Sequence, residues 1–295
     1  MKKNRKKRLF GVFLVVATSS LGVGLILFAL NSNLDYFLTP SELQTNDDNL
    51  VLSANRRVKL GGMVKKESFS INKNKMPLIT VIIVTYNGID WIRDCLGSLE
   101  QSSMTISTIV VDNASNDGTQ QLIDKDFPQI ELIRLRENIG FGKANNLGIK
   151  KAVEYGTDYI LLLNQDTKVE PDTINILCEA WNKNFLDQSA ILSPLQTSYD
   201  SDRLDNDITF YLSKTQFPTD LAQDTVKDIY DIPFMPAACW FFAKKTWLEI
   251  GAFNPVFFCY GEDTDYVNRL KYYGGRLGLV PKAKVRHQHS HSGTT

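Results

Sequence analysis

The stretch Leu78-Ile79-Thr80-Val81-Ile82-Ile83-Val84-Thr85, followed at once by Tyr86-Asn87-Gly88, decides how the rest of the chain is read. Its aliphatic and β-branched run shows no alternation of apolar with polar residues, which is the pattern of a strand covered on both faces. Such a strand belongs inside a parallel sheet, so helices are expected to alternate with further strands along the chain. After it, Trp91, Ile92, Cys95, Leu96 and Leu99 fall on one face of a helix. Further strands are expected at Ile106–Val111, Ile130–Leu135 and Tyr159–Leu163, with helices at Gly118–Lys125 and Gly142–Tyr155 between them. Pro171 is expected in the first turn of another helix, where its missing N–H costs nothing. The order implies an α/β fold with a mostly parallel, Rossmann-like sheet and helices on both faces.

Outward from this core, the composition is that of a globular protein. Of 295 residues, 43% are hydrophobic and 22% charged, with 33 basic side chains balanced by 33 acidic ones. Balanced charge gives no field to attract nucleic acid, and no nucleic-acid partner is expected. Cys95, Cys178, Cys239 and Cys259 lack the short spacings of a zinc site or a disulfide framework. Cys95 and Cys178 fall at apolar helix positions and read as small buried hydrophobes. At the N-terminus, Lys2, Lys3, Arg5, Lys6, Lys7 and Arg8 precede Leu9–Leu30, a run without a charged residue. As a helix that run would be about 33 Å long, enough to cross a bilayer core. The expected organisation is a basic cytoplasmic tail over 1–8, one transmembrane anchor over 9–30, a polar stem over 31–76 and an α/β domain over 77–295. The stem holds one strand candidate, Arg57–Val64, with a bulge at Gly61-Gly62. A cleavable signal peptide is the competing reading of 9–30, but no small-x-small cleavage site precedes Asn31.

Ligands of an open parallel sheet sit beyond the carboxyl ends of its strands. There the sequence places Thr85-Tyr86-Asn87, then Asp112-Asn113-Ala114-Ser115-Asn116-Asp117-Gly118, then Arg136-Glu137-Asn138-Ile139-Gly140, then Asn164-Gln165-Asp166. Any one of these is explained by turn chemistry. Four in succession bring donors and acceptors to one rim, which suits a nucleotide sugar. Its base and ribose need hydrogen-bonding partners, and its diphosphate needs positive charge. No Walker-type loop is present, so a divalent metal, Mn2+ or Mg2+, is the expected source of that charge. Asn164-x-Asp166 would present oxygen ligands at this edge. Glu262, Asp263 and Asp265 open a helix running to about Tyr273. Either they complement the helix dipole, or one is the general base that takes a proton from an acceptor hydroxyl. All three histidines lie in His287-Gln288-His289-Ser290-His291. A neutral imidazole can complete a metal shell, while His289 and His291 read equally as an exposed tail.

These segments resemble the serial motifs of glycosyltransferase family 2, closest to its rhamnosyltransferase-like and galactofuranosyltransferase-like members. The resemblance rests on Thr80–Asn87, Ile109–Gly118, Glu137–Gly148, Leu161–Asp166 and Tyr260–Asp265, and covers about Pro77 to His291. It implies a GT-A type fold and an inverting hexosyltransferase that moves a sugar from a nucleotide-sugar donor to a glycan or lipid-linked glycan. By that resemblance Thr85, Asn87 and Asp112 contact the nucleoside. Asp166 is the metal ligand of a DxD-like motif in which Asn164 fills the first position, on the donor side. Asp263 is the catalytic base with Glu262 beside it, His287 also binds the metal, and Pro236–Trp240 shapes the sugar pocket. Relatives continue past the histidine motif with further helices, so a longer natural chain is expected.

The N-terminal part is similar to something else. Asn31–Glu42 behind the basic anchor, and then Arg57–Val64, resemble the opening of the cytochrome c maturation haem chaperone, an anchored, exported β-barrel. The match ends near Ser70, short of most of that barrel and of its haem-binding histidine region. The competing function is therefore a membrane-anchored haem-handling protein. A nucleotidyltransferase on a related sheet would need a Gly-rich basic loop that is absent. The two halves imply different compartments. A single-pass inner-membrane protein with this charge pattern exports its C-terminal domain, whereas a nucleotide-sugar substrate places that domain in the cytoplasm. A junction between two unrelated segments is expected near Ser70 to Pro77.

Overall fold

The computed structural model describes residues 14–19, 22–27, 76–204 and 206–288. The chain separates into two units, Met1–Ala54 and Asn55–Thr295. In the first, β1 (Leu14–Ser19) pairs antiparallel with β2 (Gly22–Leu27), in the register Val15↔Ile26 and Ser19↔Gly22. This ribbon stands where a membrane-crossing helix was expected. Val15, Val16, Thr18, Val23 and Ile26 are β-branched and favour the extended backbone, and Gly22 and Gly24 weaken a helix. No helix among the described residues is long and apolar enough to cross a membrane. The basic tail, the stem up to residue 75 with its strand candidate, and His289 and His291 lie outside the described residues.

The second unit is built on a nine-stranded sheet. Its first half follows the sequence pattern closely. β3 (Ile79–Thr85) pairs in parallel with β4 (Ser107–Asp112) on one side and β6 (Tyr159–Asn164) on the other, and β5 (Glu131–Arg134) extends it beyond β4. Between them run α1 (Ile92–Glu100), α2 (Thr119–Asp126) and α3 (Phe141–Glu154). α3 lies so close to the sheet that a Cβ on Gly148 would come within 2.5 Å of the Ile82 methyl.

The second half corrects the mostly parallel expectation, because the sheet is mixed. After β7 (Thr167–Val169) and α4 (Thr173–Asn184) come β8 (Ala190–Ser198), α5 (Asn206–Leu212), α6 (Phe217–Ala222), β9 (Tyr230–Asp231) and β10 (Cys239–Ala243). Then follow α7 (Lys244–Ile250), α8 (Glu262–Tyr272) and β11 (Arg276–His287). The strand order is β5-β4-β3-β6-β10-β8-β11-β7, with β9 also paired to β11. β10 runs antiparallel to both β6 and β8, whereas β11 is parallel to β8 and antiparallel to β7 and β9. Pro171 precedes α4 rather than entering its first turn, because Asp172 is the N-cap.

The core sits where these halves meet. Tyr159 of β6 stacks on Phe241 of β10 at 5.1 Å, and Trp181 of α4 meets both rings edge-on. All three side chains are fully buried. Burial of such rings contributes on the order of 2–3 kcal/mol each, so this seam locks the antiparallel strand onto the parallel half. Cys95, Cys178 and Cys239 are buried as small hydrophobes, and Cys259 is exposed.

Candidate active site

Because β3, β4 and β6 run in parallel, their carboxyl ends meet at one rim, and a cleft of about 670 Å³ opens there. Asn164 ends β6, and Asp166 lies two residues on, just before β7. β11 pairs with β7 in the register His287↔Thr167, which carries the imidazole to the same place. His287 Nε2 lies 3.3 Å from Asp166 Oδ1 and 3.5 Å from Asn164 Nδ2. Asn164 Oδ1 is buried without a hydrogen-bond partner among the described residues. A carboxylate oxygen, an imidazole nitrogen and an unpartnered amide oxygen form a donor set that fits a divalent cation taking oxygen and nitrogen ligands. No cluster of three or more His, Cys, Asp or Glu that could hold a metal exists among the described residues. A cation here would have to draw its remaining ligands from a substrate.

Glu262 and Asp263 line the same cleft from the first turn of α8. An aromatic floor of Trp240, Phe253 and Tyr266 sets that turn in place. Trp240 stacks on Phe253 at 6.2 Å, and Phe253 packs on Tyr266 at 4.9 Å. Arg269 ties α8 down by donating to the carbonyls of Ile250 and Ala252 while pairing with Asp265 at 2.8 Å. The two carboxylates differ. Glu262 is buried and its Oε2 has no hydrogen-bond partner. Burial, with the adjacent charge of Asp263 adding to it, pushes the Glu262 carboxyl above its usual value. Asp263 is half-buried, and its Oδ1 accepts from the Thr264 N–H at 2.6 Å.

Of the eight residues singled out in the sequence, Asn164, Asp166, Glu262, Asp263 and His287 line the cleft. Thr85, Asn87 and Asp112 do not. Thr85 is buried and donates its hydroxyl to Gln165 Oε1 at 2.6 Å. Asn87 is held by Ser115 and Asn116, each at 2.9 Å. Asp112 Oδ1 accepts from the Ser115 N–H and from Gln120, and its Oδ2 is buried without a partner. As placed, Asn87 and Asp112 brace the loop after β4, and Thr85 braces the turn after β6.

That loop presents a residue the sequence reading left without a role. Asn113 lines the cleft, donates to Asn138 Oδ1 at 2.8 Å and accepts from the Ile139 N–H. Asn138 also lines the cleft, so one amide pair joins the ends of two strands. Asn146 was missed too: it makes two hydrogen bonds of 2.9 Å to the backbone of Phe253, tying α3 to the loop before α8. Asn113 and Asn138 stood among the strand-end residues without a role of their own, and Asn146 stood only within an asparagine-rich motif. On the opposite wall, Pro236, Ala237 and Ala238 contribute a lining of small side chains, with Tyr211 and Phe234 beyond them.

Comparison with known proteins places this fold in a family. The sequence profile described as glycosyl transferase family 2 matches residues 80–246. An N-acetylglucosaminyl-diphospho-decaprenol L-rhamnosyltransferase of Mycobacterium tuberculosis (strain CDC 1551 / Oshkosh) is 26% identical over 248 residues, 73% of this chain and 77% of the relative. The cytochrome c-type biogenesis protein CcmE of Vibrio cholerae serotype O1 (strain ATCC 39541 / Classical Ogawa 395 / O395) is 33% identical over 117 residues, 37% of this chain and 73% of that protein. Among solved structures, GalNAc-T7 with UDP, GalNAc and Mn2+ superposes with a TM-score of 0.58 at 17% identity, over 72% of this chain and 44% of that one. S. aureus TarS 1-349 in complex with UDP-GlcNAc gives 0.53 at 16% identity, over 74% of this chain and 62% of that one. The likeness to these two shows a shared GT-A fold.

Proposed function

This chain belongs to glycosyl transferase family 2, and on that premise we propose that it is an inverting glycosyltransferase moving a sugar from a nucleotide-sugar donor to a glycan or lipid-linked glycan acceptor. One observation carries the reading: Asp166 and His287, held together by the β7–β11 pairing, share a cleft with the carboxylates that open α8. The donor's diphosphate lies on the Asp166 side and the acceptor hydroxyl on the α8 side. The acceptor oxygen attacks the anomeric carbon, and the bond to the diphosphate breaks with its electron pair leaving on the nucleoside diphosphate. The acceptor proton passes to a carboxylate.

Asp263 is that base, because it lines the cleft and is less buried, whereas Glu262 is buried, which pushes its carboxyl above the usual value. Asp166, His287 and Asn164 Oδ1 would hold a divalent ion, Mn2+ or Mg2+. When bound, the ion neutralises the diphosphate and so eases its departure. Asn113 and Asn138 face the donor's nucleotide half. Asn87 and Asp112 position that loop from behind, and Thr85 holds Gln165 in the turn that carries Asp166. Rhamnose is a candidate sugar on the strength of the mycobacterial relative. Membrane attachment through the charge-free residues 9–30 belongs to the same reading, supported by the basic cluster before them, and fractionation with carbonate extraction checks it.

The full chain incubated with a panel of nucleotide sugars and Mn2+ or Mg2+ is expected to release nucleoside diphosphate from one donor class, faster with acceptor present. No release with any donor and either metal would refute the reading. A second reading, a haem-handling protein of cytochrome c maturation, is favoured by the CcmE match alone. Haem absorbance on the purified full chain would support it.

A further inference from the structure

The loop between α7 and α8, Asn254-Pro255-Val256-Phe257-Phe258-Cys259-Tyr260-Gly261, contains no charged residue. It nevertheless turns large apolar side chains to solvent: Val256 is 80% exposed, Phe258 57% and Tyr260 83%. Isolated apolar residues on a surface need no explanation, but a cluster continuous with a binding cleft does. This cluster is continuous with the cleft, since Phe258, Cys259 and Tyr260 form part of its wall beside Glu262 and Asp263.

The exposure is built in. The Phe141 N–H donates to the Phe258 carbonyl at 3.1 Å, fixing the loop to the start of α3. A Cβ on Gly140 would lie 2.9 Å from the carbonyl carbon of Phe258, so glycine is what permits that approach. Tyr260 adopts a left-handed backbone, φ 66°, which is an uncommon and unfavourable state for a bulky residue. Strain of this kind persists where the surroundings over-determine it, and it concentrates at ligand clamps. In that conformation the Tyr260 ring stands 83% exposed at the mouth.

Resting on the glycosyltransferase reading, we propose that this loop is an apolar apron that seats the hydrocarbon chain of a lipid-linked acceptor, making that class the substrate in preference to a free glycan. The acceptor's sugar enters the cleft toward Asp263, and Tyr260 lies between the sugar and the lipid. Val256 and Phe258 take the chain beyond it. A diphosphate-linked acceptor of this class also matches the chemistry in the name of the mycobacterial relative. An aromatic ring alone could stack on a sugar face, but the aliphatic Val256, 80% exposed beside Phe258, suits a hydrocarbon chain.

The test uses the full chain in detergent with two synthetic acceptors carrying the same sugar diphosphate, one on a long prenyl chain and one on a two-carbon stub. The wild type is expected to use the long-chain acceptor with kcat/KM about tenfold or more above the stub, chiefly through KM. Val256→Ser and Phe258→Ser are expected to shrink that ratio toward one, with nucleotide binding confirming that each variant is folded. Equal use of both acceptors by the wild type, or a ratio unmoved in both variants, overturns the apron and leaves the transferase standing. Absence of donor-dependent turnover with both acceptors overturns the underlying reading and the apron with it.

Discussion

Asp263 and Glu262 are adjacent, yet their surroundings divide the work between them. In the proposed reaction the accessible one takes the acceptor's proton, while the other is buried. Asp263→Asn is expected to lower kcat for transfer by about 10²–10⁴ while the donor's dissociation constant stays close to wild type in calorimetry. Transfer at the normal rate would move the base role elsewhere. Glu262 makes a different prediction. Its folded-state carboxyl titrates above the unfolded one because burial disfavours its charge. Between those two values the native state carries the extra proton, so stability falls as pH rises through that window, and above it the charged group is a fixed penalty. Glu262→Gln is therefore expected to raise Tm by about 2–4 °C at pH 8 and to leave it unchanged at pH 4, as scanning calorimetry would show. An equal shift at both pH values would point to packing instead of charge. Asp166→Ala is expected to weaken Mn2+-dependent nucleotide binding by about tenfold or more. An identical titration would remove Asp166 from the metal site.

The elements of the parallel half were legible because their signal is local. β3 and β6 are unbroken apolar runs, and α1 and α3 repeat with helical period. The other half hides its strands. β8 carries Pro194 and buries Ser193, Gln196 and Thr197, so it reads as a loop. β11 breaks its alternation with a register shift between Val280 and Lys284. The candidate site divides in the same way. Polar residues directly after apolar strands marked Asn164, Asp166 and the segments holding Asn113 and Asn138, but the Asn113–Asn138 pair and the Asn146–Phe253 bonds join distant elements and needed the structure. Thr85 shows the converse: sequence places a hydroxyl at a strand end, and only the structure shows it donating to Gln165. At the α3–β3 contact, Gly148→Ala is expected to cost about 1–3 kcal/mol in urea denaturation, because the new methyl would meet Ile82. A neutral result would mean that α3 can back away from the sheet.

At the scale of the whole molecule, β11 joins stability to chemistry. Leu277, Leu279, Val280 and Val285 are buried in the core, and the same strand ends at His287 beside Asp166. Arg286, next to that histidine, bonds Glu170 at 3.2 Å and Asp202 at 2.8 Å, fastening the strand end to two other segments. Removing residues 276 onward is therefore expected to abolish cooperative thermal unfolding, whereas His287→Ala should keep Tm within about 3 °C and lose only metal-dependent nucleotide affinity. A truncated chain that melted as sharply as the parent would show β11 to be an accessory.

The reversed direction of β10 has its own effect. Its entering end, not its leaving end, arrives beside Asn164, where the Ala238 carbonyl accepts the Asn164 N–H at 2.9 Å. The chain therefore brings methyl groups and a proline ring to that wall, in place of a carboxylate or an amide. On that side, the reach of the chamber is limited by residues that the proposed reaction does not use. Replacing Ala237 or Ala238 with valine would narrow the chamber while sparing every acid and the imidazole, so lineages or engineers can retune which sugar is accepted without rebuilding the machinery that transfers it.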